Sequence, residues 1–105
     1  MPKTTRIELH EDAVSDLALL DKAAQLRIRK AVLGLATLEN PKDRLIPYEE
    51  NLSGYWKLRV GDYRLVCQLS HDDQGNMVLV VLIVHRSKAY VRRTIQTLMR
   101  RSRNP

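Results

Sequence analysis

Residues Met77 to Val84, MVLVVLIV, form an unbroken apolar run of eight. As a helix the run would extend only about 12 Å, well short of a bilayer core. It has no polar side to offer solvent, so it reads as a central strand buried on both faces. A strand of that kind commits the chain to a sheet-centred core.

The segments around it take their places by period and by breakers. Ser70–Asn76 (SHDDQGN) reads as a turn leading into the apolar run. Upstream, Trp56–Val60 and Tyr63–Leu69 alternate apolar and polar residues around Gly61-Asp62, a dipeptide suited to a two-residue hairpin loop. Thr5–Leu9 reads as a short first strand with Ile7 and Leu9 on one face. Asp12 can cap a helix, and the apolar positions from Val14 to Leu38 fit helical spacing, with a phase shift at Leu19–Asp21 that marks a turn between two helices. The second helix should stop near Asn40, because Pro41 disfavours helix in the residue before it. Residues 41–54 read as a loop, and Lys88–Arg101 as a last helix with a basic outer side. The order β-α-α-β-β-β-α predicts an α+β fold. Its small, antiparallel-dominated sheet is packed by a helical pair and followed by a basic C-terminal helix. At 105 residues, one domain over 1–105 is expected.

Several chemistries are disfavoured. A single cysteine, Cys67, makes neither an internal disulfide nor a multi-cysteine zinc site. It falls on the expected core face and reads as a packing residue rather than a nucleophile. His10, His71 and His85 lie far apart in sequence, and there is no glycine-rich phosphate loop or GxSxG site, so no metal or cofactor is expected. The N-terminal stretch MPKTTRIELHED has no apolar core of a signal peptide, which points to the cytoplasm and away from a membrane partner.

Charge is unevenly distributed. Net charge is +6, yet residues 1–53 hold eight basic and nine acidic side chains, while residues 54–105 hold ten and three. The surplus therefore belongs to the hairpin and the C-terminal segment. With Gly61 and Asp62 as the loop, Val60 faces Tyr63, Leu58 faces Leu65, Trp56 faces Cys67, and Arg59 lies directly opposite Arg64. Trp56, Leu58, Val60, Tyr63, Leu65 and Cys67 then share the core face, and Lys57, Arg59, Arg64, Val66 and Gln68 the other. Paired arginines repel by a few tenths of a kcal/mol or more, and Lys57 adds a third like charge. A polyanion on that face gives the arrangement a purpose, since guanidinium forks match phosphate oxygens. Carboxylates such as Glu49 or Glu50 offer a purely structural alternative. His85 and Arg86 end the central strand, Tyr90 follows as a core or stacking residue, and Arg100-Arg101-Ser102-Arg103 reads as a frayed basic tail.

The stretch Leu52–Gln68, LSGYWKLRVGDYRLVCQ, with His85-Arg86 and Tyr90 after it, resembles the RelE/ParE toxin superfamily of bacterial toxin–antitoxin systems. The likeness covers nearly the whole chain. RelE-like members cleave mRNA in the ribosomal A site, inhibiting translation, and are neutralised by a cognate antitoxin. The resemblance therefore implies the ribosome and mRNA as partners, and an antitoxin through which the complex can bind operator DNA. It carries functional positions onto Lys57, Arg59, Arg64, Arg86 and Tyr90. The ParE branch, which inhibits DNA gyrase without nuclease activity, is the alternative; a basic RNA-binding module without chemistry is a third.

One position departs from the RelE pattern. Its second cation is typically lysine, and here it is Arg59, which holds its proton too tightly to act as a base. The implied chemistry is metal-independent: the RNA 2′-hydroxyl attacks the adjacent phosphorus and expels the 5′-oxygen. Arg59, Arg64 and Arg86 would hold phosphate charge and Lys57 would be the general base. Tyr90 would stack on a base or assist proton transfer, with His85 in reserve.

Overall fold

A computed structural model of the chain describes residues 4–89 and 91–103. Strand β1 (Thr4–Leu9) leads into helices α1 (Glu11–Ala18) and α2 (Lys22–Ala36). A two-residue strand β2 (Ile46–Pro47), the hairpin strands β3 (Tyr55–Val60) and β4 (Tyr63–Asp72), strand β5 (Gly75–His85) and helix α3 (Arg92–Arg103) follow. The strands form one sheet in the order β1-β5-β4-β3-β2, with β1 parallel to β5 and every other pair antiparallel. The α+β arrangement and the helical pair match the expectation.

β5 is the central strand. Val78, Val80, Val81, Leu82 and Ile83 are all buried on it, because both sheet faces are covered. On one face, Val78, Val80 and Ile83 join Leu58, Leu65 and Cys67 beneath Ala13 of α1 and Ile28 and Leu35 of α2. On the other, Val66, Val81 and Leu82 pack with Tyr48, Leu52 and Leu98, the last from α3. Val81 and Leu82 face the same way because the strand is bulged there: Val66 pairs with Leu82 and Cys67 with Val80, leaving Val81 as the extra residue.

Five local expectations change. The first helix is capped by His10, whose Nδ1 accepts from the Asp12 N–H at 3.1 Å, and not by Asp12. The second helix ends at Ala36, and Asn40 instead caps a short 3-10 turn at Pro41–Asp43. Within the expected loop, Ile46 and Pro47 pair with Lys57 and Trp56 as a short edge strand. The expected turn at Ser70–Asn76 contracts, since β4 runs to Asp72 and β5 starts at Gly75. The last helix begins later, at Arg92, after a 3-10 turn over Arg86–Lys88.

The expected frayed tail is helical, and Arg101 is a tertiary anchor. Its guanidinium makes a two-point ion pair with Asp16 of α1, Nη1–Oδ2 at 2.7 Å and Nη2–Oδ1 at 3.1 Å. β1 ends opposite Val80, so the bulged part of β5 has no strand beside it there. The ion pair takes that place: Arg101 Nη1 donates to the Val81 carbonyl and the Ile83 N–H donates to Asp16 Oδ2, both at 3.0 Å. Tyr55 adds a hydroxyl hydrogen bond to Ser102 at 2.5 Å. No helix among the described residues is long and apolar enough to cross a membrane.

Cys67 is fully buried, and burial pushes its thiol up to about 12. At pH 8 almost no thiolate exists to react. The native chain is expected to resist iodoacetamide at that pH and to label only as it unfolds; rapid labelling of native protein would contradict the packing role.

Candidate functional site

The β3–β4 register matches the hairpin arithmetic pair for pair, from Trp56 opposite Cys67 to Val60 opposite Tyr63. Gly61 has φ +57°, the positive value that a two-residue loop of this kind demands at its first position. Arg59 is therefore held opposite Arg64, their Cβ atoms about 5 Å apart by strand geometry. Arg59 is exposed. Arg64 folds back over the tip, where its Nη1 donates to the carbonyls of Gly61 (3.0 Å) and Tyr63 (2.9 Å). Among the described residues neither guanidinium is ion-paired.

Arg86 joins them from the 3-10 turn that follows β5. Its backbone N–H donates to the Asp62 carbonyl at 2.7 Å, and its Nε lies 3.5 Å from Asp62 Oδ1. The ion pair is widely exposed and adds little. The short backbone bond is what fixes Arg86 at the hairpin tip. Three of the five sequence-derived positions thus converge on Gly61-Asp62. Helix α3 itself starts with Arg92 and Arg93 and has no acidic residue in its first turn. Cations at that end oppose the helix dipole by about 0.3–1 kcal/mol each.

Lys57 shares the strand face but looks elsewhere. Its Nζ lies 5.1 Å from the centre of the Tyr48 ring, and it lines a 430 Å³ groove with Glu49, Glu50, Leu52 and Ile95. The carboxylates weighed as partners for the cations therefore stand beside Lys57, away from the arginine pair. The face is not open along its whole length either: Val66 is buried in the cluster that includes Leu98 of α3. Tyr90 lies outside the described residues.

His85 corrects the expectation of a reserve acid or base beside the cations. It pairs with Tyr63, on the sheet face that carries the helical pair and opposite to Arg59 and Arg64. Its ring meets Tyr63 edge-on at 5.6 Å, and its Nδ1 accepts from the Ser87 N–H at 3.1 Å, capping the turn that holds Arg86. The strand parity of β4 and β5 carried this placement, because positions opposite each other share a face. Sequence reading missed two groups. Arg27 of α2 reaches the same hairpin tip from below, and the Asp16–Arg101 pair joins residues 85 apart.

A family model described as ParE toxin of type II toxin-antitoxin system, parDE, matches residues 7–90. No curated protein matches the chain. Among solved structures, the chain is similar to the toxin–antitoxin complex RelBE2 from Mycobacterium tuberculosis, at 29% identity over 82% of this chain and 100% of that one, with a TM-score of 0.53. It is also similar to an archaeal RelE–RelB complex from Pyrococcus horikoshii OT3, at 22% identity over 85% of this chain and 100% of that one, TM-score 0.58. A mutant of E. coli toxin RelE in the free state has 18% identity over 96% and 98% of the two chains, TM-score 0.62. The last two likenesses bear on the fold alone.

Proposed function

From the premise that this chain belongs to the RelE/ParE superfamily, the toxins of type II toxin–antitoxin systems, we propose that it is a ribosome-dependent endoribonuclease of the RelE kind. On this reading it cuts translated mRNA in the A site, in the cytoplasm, and a cognate antitoxin restrains it. The observation that carries the reading is the Arg59–Arg64 cross-strand pair with Arg86 fixed beside it. Like charges held together against their repulsion cost stability unless an anion fills the gap. A phosphodiester is such an anion, and guanidinium groups match its oxygens.

The chemistry is transfer of the phosphoryl group to the neighbouring 2′-oxygen. The 2′-hydroxyl loses its proton and bonds to phosphorus while the P–O5′ bond breaks. A 2′,3′-cyclic phosphate and a free 5′-hydroxyl result. Charge on the phosphorane oxygens falls to Arg59, Arg64 and Arg86. Lys57, two residues from Arg59 on the same strand face, is the amine assigned to the 2′-hydroxyl proton, since Arg59 cannot serve; in that role its side chain leaves the Tyr48 ring and turns along the face toward Arg59. Tyr90 is assigned to the splayed base or to the leaving oxygen.

A second reading, inhibition of DNA gyrase without cleavage, is favoured by the description of the matching family model. Primer extension after brief induction separates the two. The proposal expects new 5′ ends within a translated message, none in the same message without a start codon, and their loss in Arg64→Ala, Arg86→Ala and Tyr90→Ala. Intact message together with lost supercoiling would select the gyrase reading instead.

A further inference from the structure

Beneath the hairpin tip, on the face opposite Arg59 and Arg64, lies a cavity of 310 Å³. Its walls come from Arg27 and the start of α2, from Val60, Asp62 and Tyr63 of the hairpin, and from His85. Of the positions assigned to cleavage, Lys57, Arg59, Arg64 and Arg86 are not among the described residues that line it. We propose that this cavity is a second RNA subsite, which takes one nucleotide flanking the scissile phosphate: the base against Tyr63 and His85, the phosphate on Arg27. The proposal deepens the RNA reading above and rests on it.

The volume stands at the lower end of small-ligand pockets, about 300–1,000 Å³, the size class of a single nucleotide. Two sides of the cavity are apolar or aromatic. The side chains of Val60, Ala23 and Ala24 offer no hydrogen bonds, and the perpendicular Tyr63 and His85 rings leave aromatic surface for a base. The polar groups sort cleanly into engaged and available. Asp21 is engaged in capping α2, accepting from the Ala24 N–H at 2.7 Å, and Asp62 stands 3.5 Å from Arg86. His85 Nδ1 is engaged with Ser87, so Nε2 is the ring nitrogen left for a ligand.

Arg27 is the available charge. It is exposed, and among the described residues it has no ion-pair partner. Its Nη1 lies 3.7 Å from where a Cβ on Gly61 would stand. The guanidinium therefore lies within van der Waals reach of the loop. Arg59 and Arg64 occupy one side of the two-residue loop, Arg86 its rim and Arg27 the other side. An RNA strand leaving the first group around the tip meets Arg27 next.

The test is binding of a labelled, mixed-sequence RNA hexanucleotide with 2′-O-methyl groups, which blocks cleavage, measured by fluorescence anisotropy across a salt series. Arg27→Gln is expected to weaken binding about 3- to 10-fold and to flatten the log–log salt slope by about 0.7, one phosphate contact's worth on single-stranded nucleic acid. Arg27→Lys should restore the slope, and His85→Ala should weaken binding without altering it. Unchanged affinity and slope in Arg27→Gln, or no hexanucleotide binding by the parent chain, overturns the subsite. If the parent chain makes no cuts in translated message yet binds RNA through Arg27, the cleavage reading falls and the subsite stands. If it cuts and Arg27→Gln binds as the parent does, the subsite alone falls.

Discussion

Arg101→Met is expected to destabilise the chain by about 3 kcal/mol, the scale for removing one partner of a buried ion pair. The side chains of Arg101 and Asp16 are only 13% and 18% exposed, so water replaces little of what is lost. The substitution strands the Asp16 carboxylate and removes the donor to the Val81 carbonyl. Asp12, whose carboxylate lies 3.6 Å from Arg101 Nε, loses its cation as well. Unfolding in urea, followed through the single Trp56, measures the cost. The double variant Asp16→Leu, Arg101→Met gives the sharper result. Many buried pairs can be exchanged for apolar residues at little cost. This one also serves the Val81 carbonyl and Ile83 N–H, which an apolar pair would leave without partners. The double variant is therefore expected to remain at least 2 kcal/mol below the parent chain. Losses under 1 kcal/mol in both the single and the double variant would mean that the pair merely decorates the surface.

That ion pair also marks where sequence reading stops. The hairpin register was legible because a two-residue loop fixes every pairing that follows, and alternation then assigns each side chain a face. Burial of β5 on both sides was legible from eight apolar residues in a row. Arg101 gave no comparable signal. Its partner lies 85 residues earlier, and along a helix an arginine that anchors looks the same as one in solvent. Ser70, His71 and Asp72 hid the end of β4 in a similar way: they are exposed strand residues whose composition is that of a turn. The bulge at Val81 escaped because a run of uniformly apolar residues carries no phase to interrupt. At the site, the Arg59–Arg64 pairing followed from local arithmetic. Where Lys57 turned, and what Arg27 approached, depended on packing between distant segments.

Arg59→Ala should separate function from stability. Arg59 is exposed, makes no ion pair among the described residues and faces Arg64. Removing it relieves a repulsion of a few tenths of a kcal/mol, so the urea midpoint should hold or rise slightly. Cleavage should fall about 10²- to 10³-fold, the usual loss for one donor aimed at developing oxyanion charge. Arg64→Ala would be a less clean probe, because that guanidinium also donates to the Gly61 and Tyr63 carbonyls and its loss disturbs the loop. Arg59→Lys retains the charge and should lose only a few fold if the position does no more than hold phosphate. Inorganic phosphate gives an independent readout. It should raise the parent chain's melting temperature by occupying the arginine pair, and raise that of Arg59→Ala much less. A variant that loses stability in step with activity would show that Arg59 is part of the scaffold. A variant as stable as the parent, with cleavage nearly abolished, is what a cation kept for its substrate predicts.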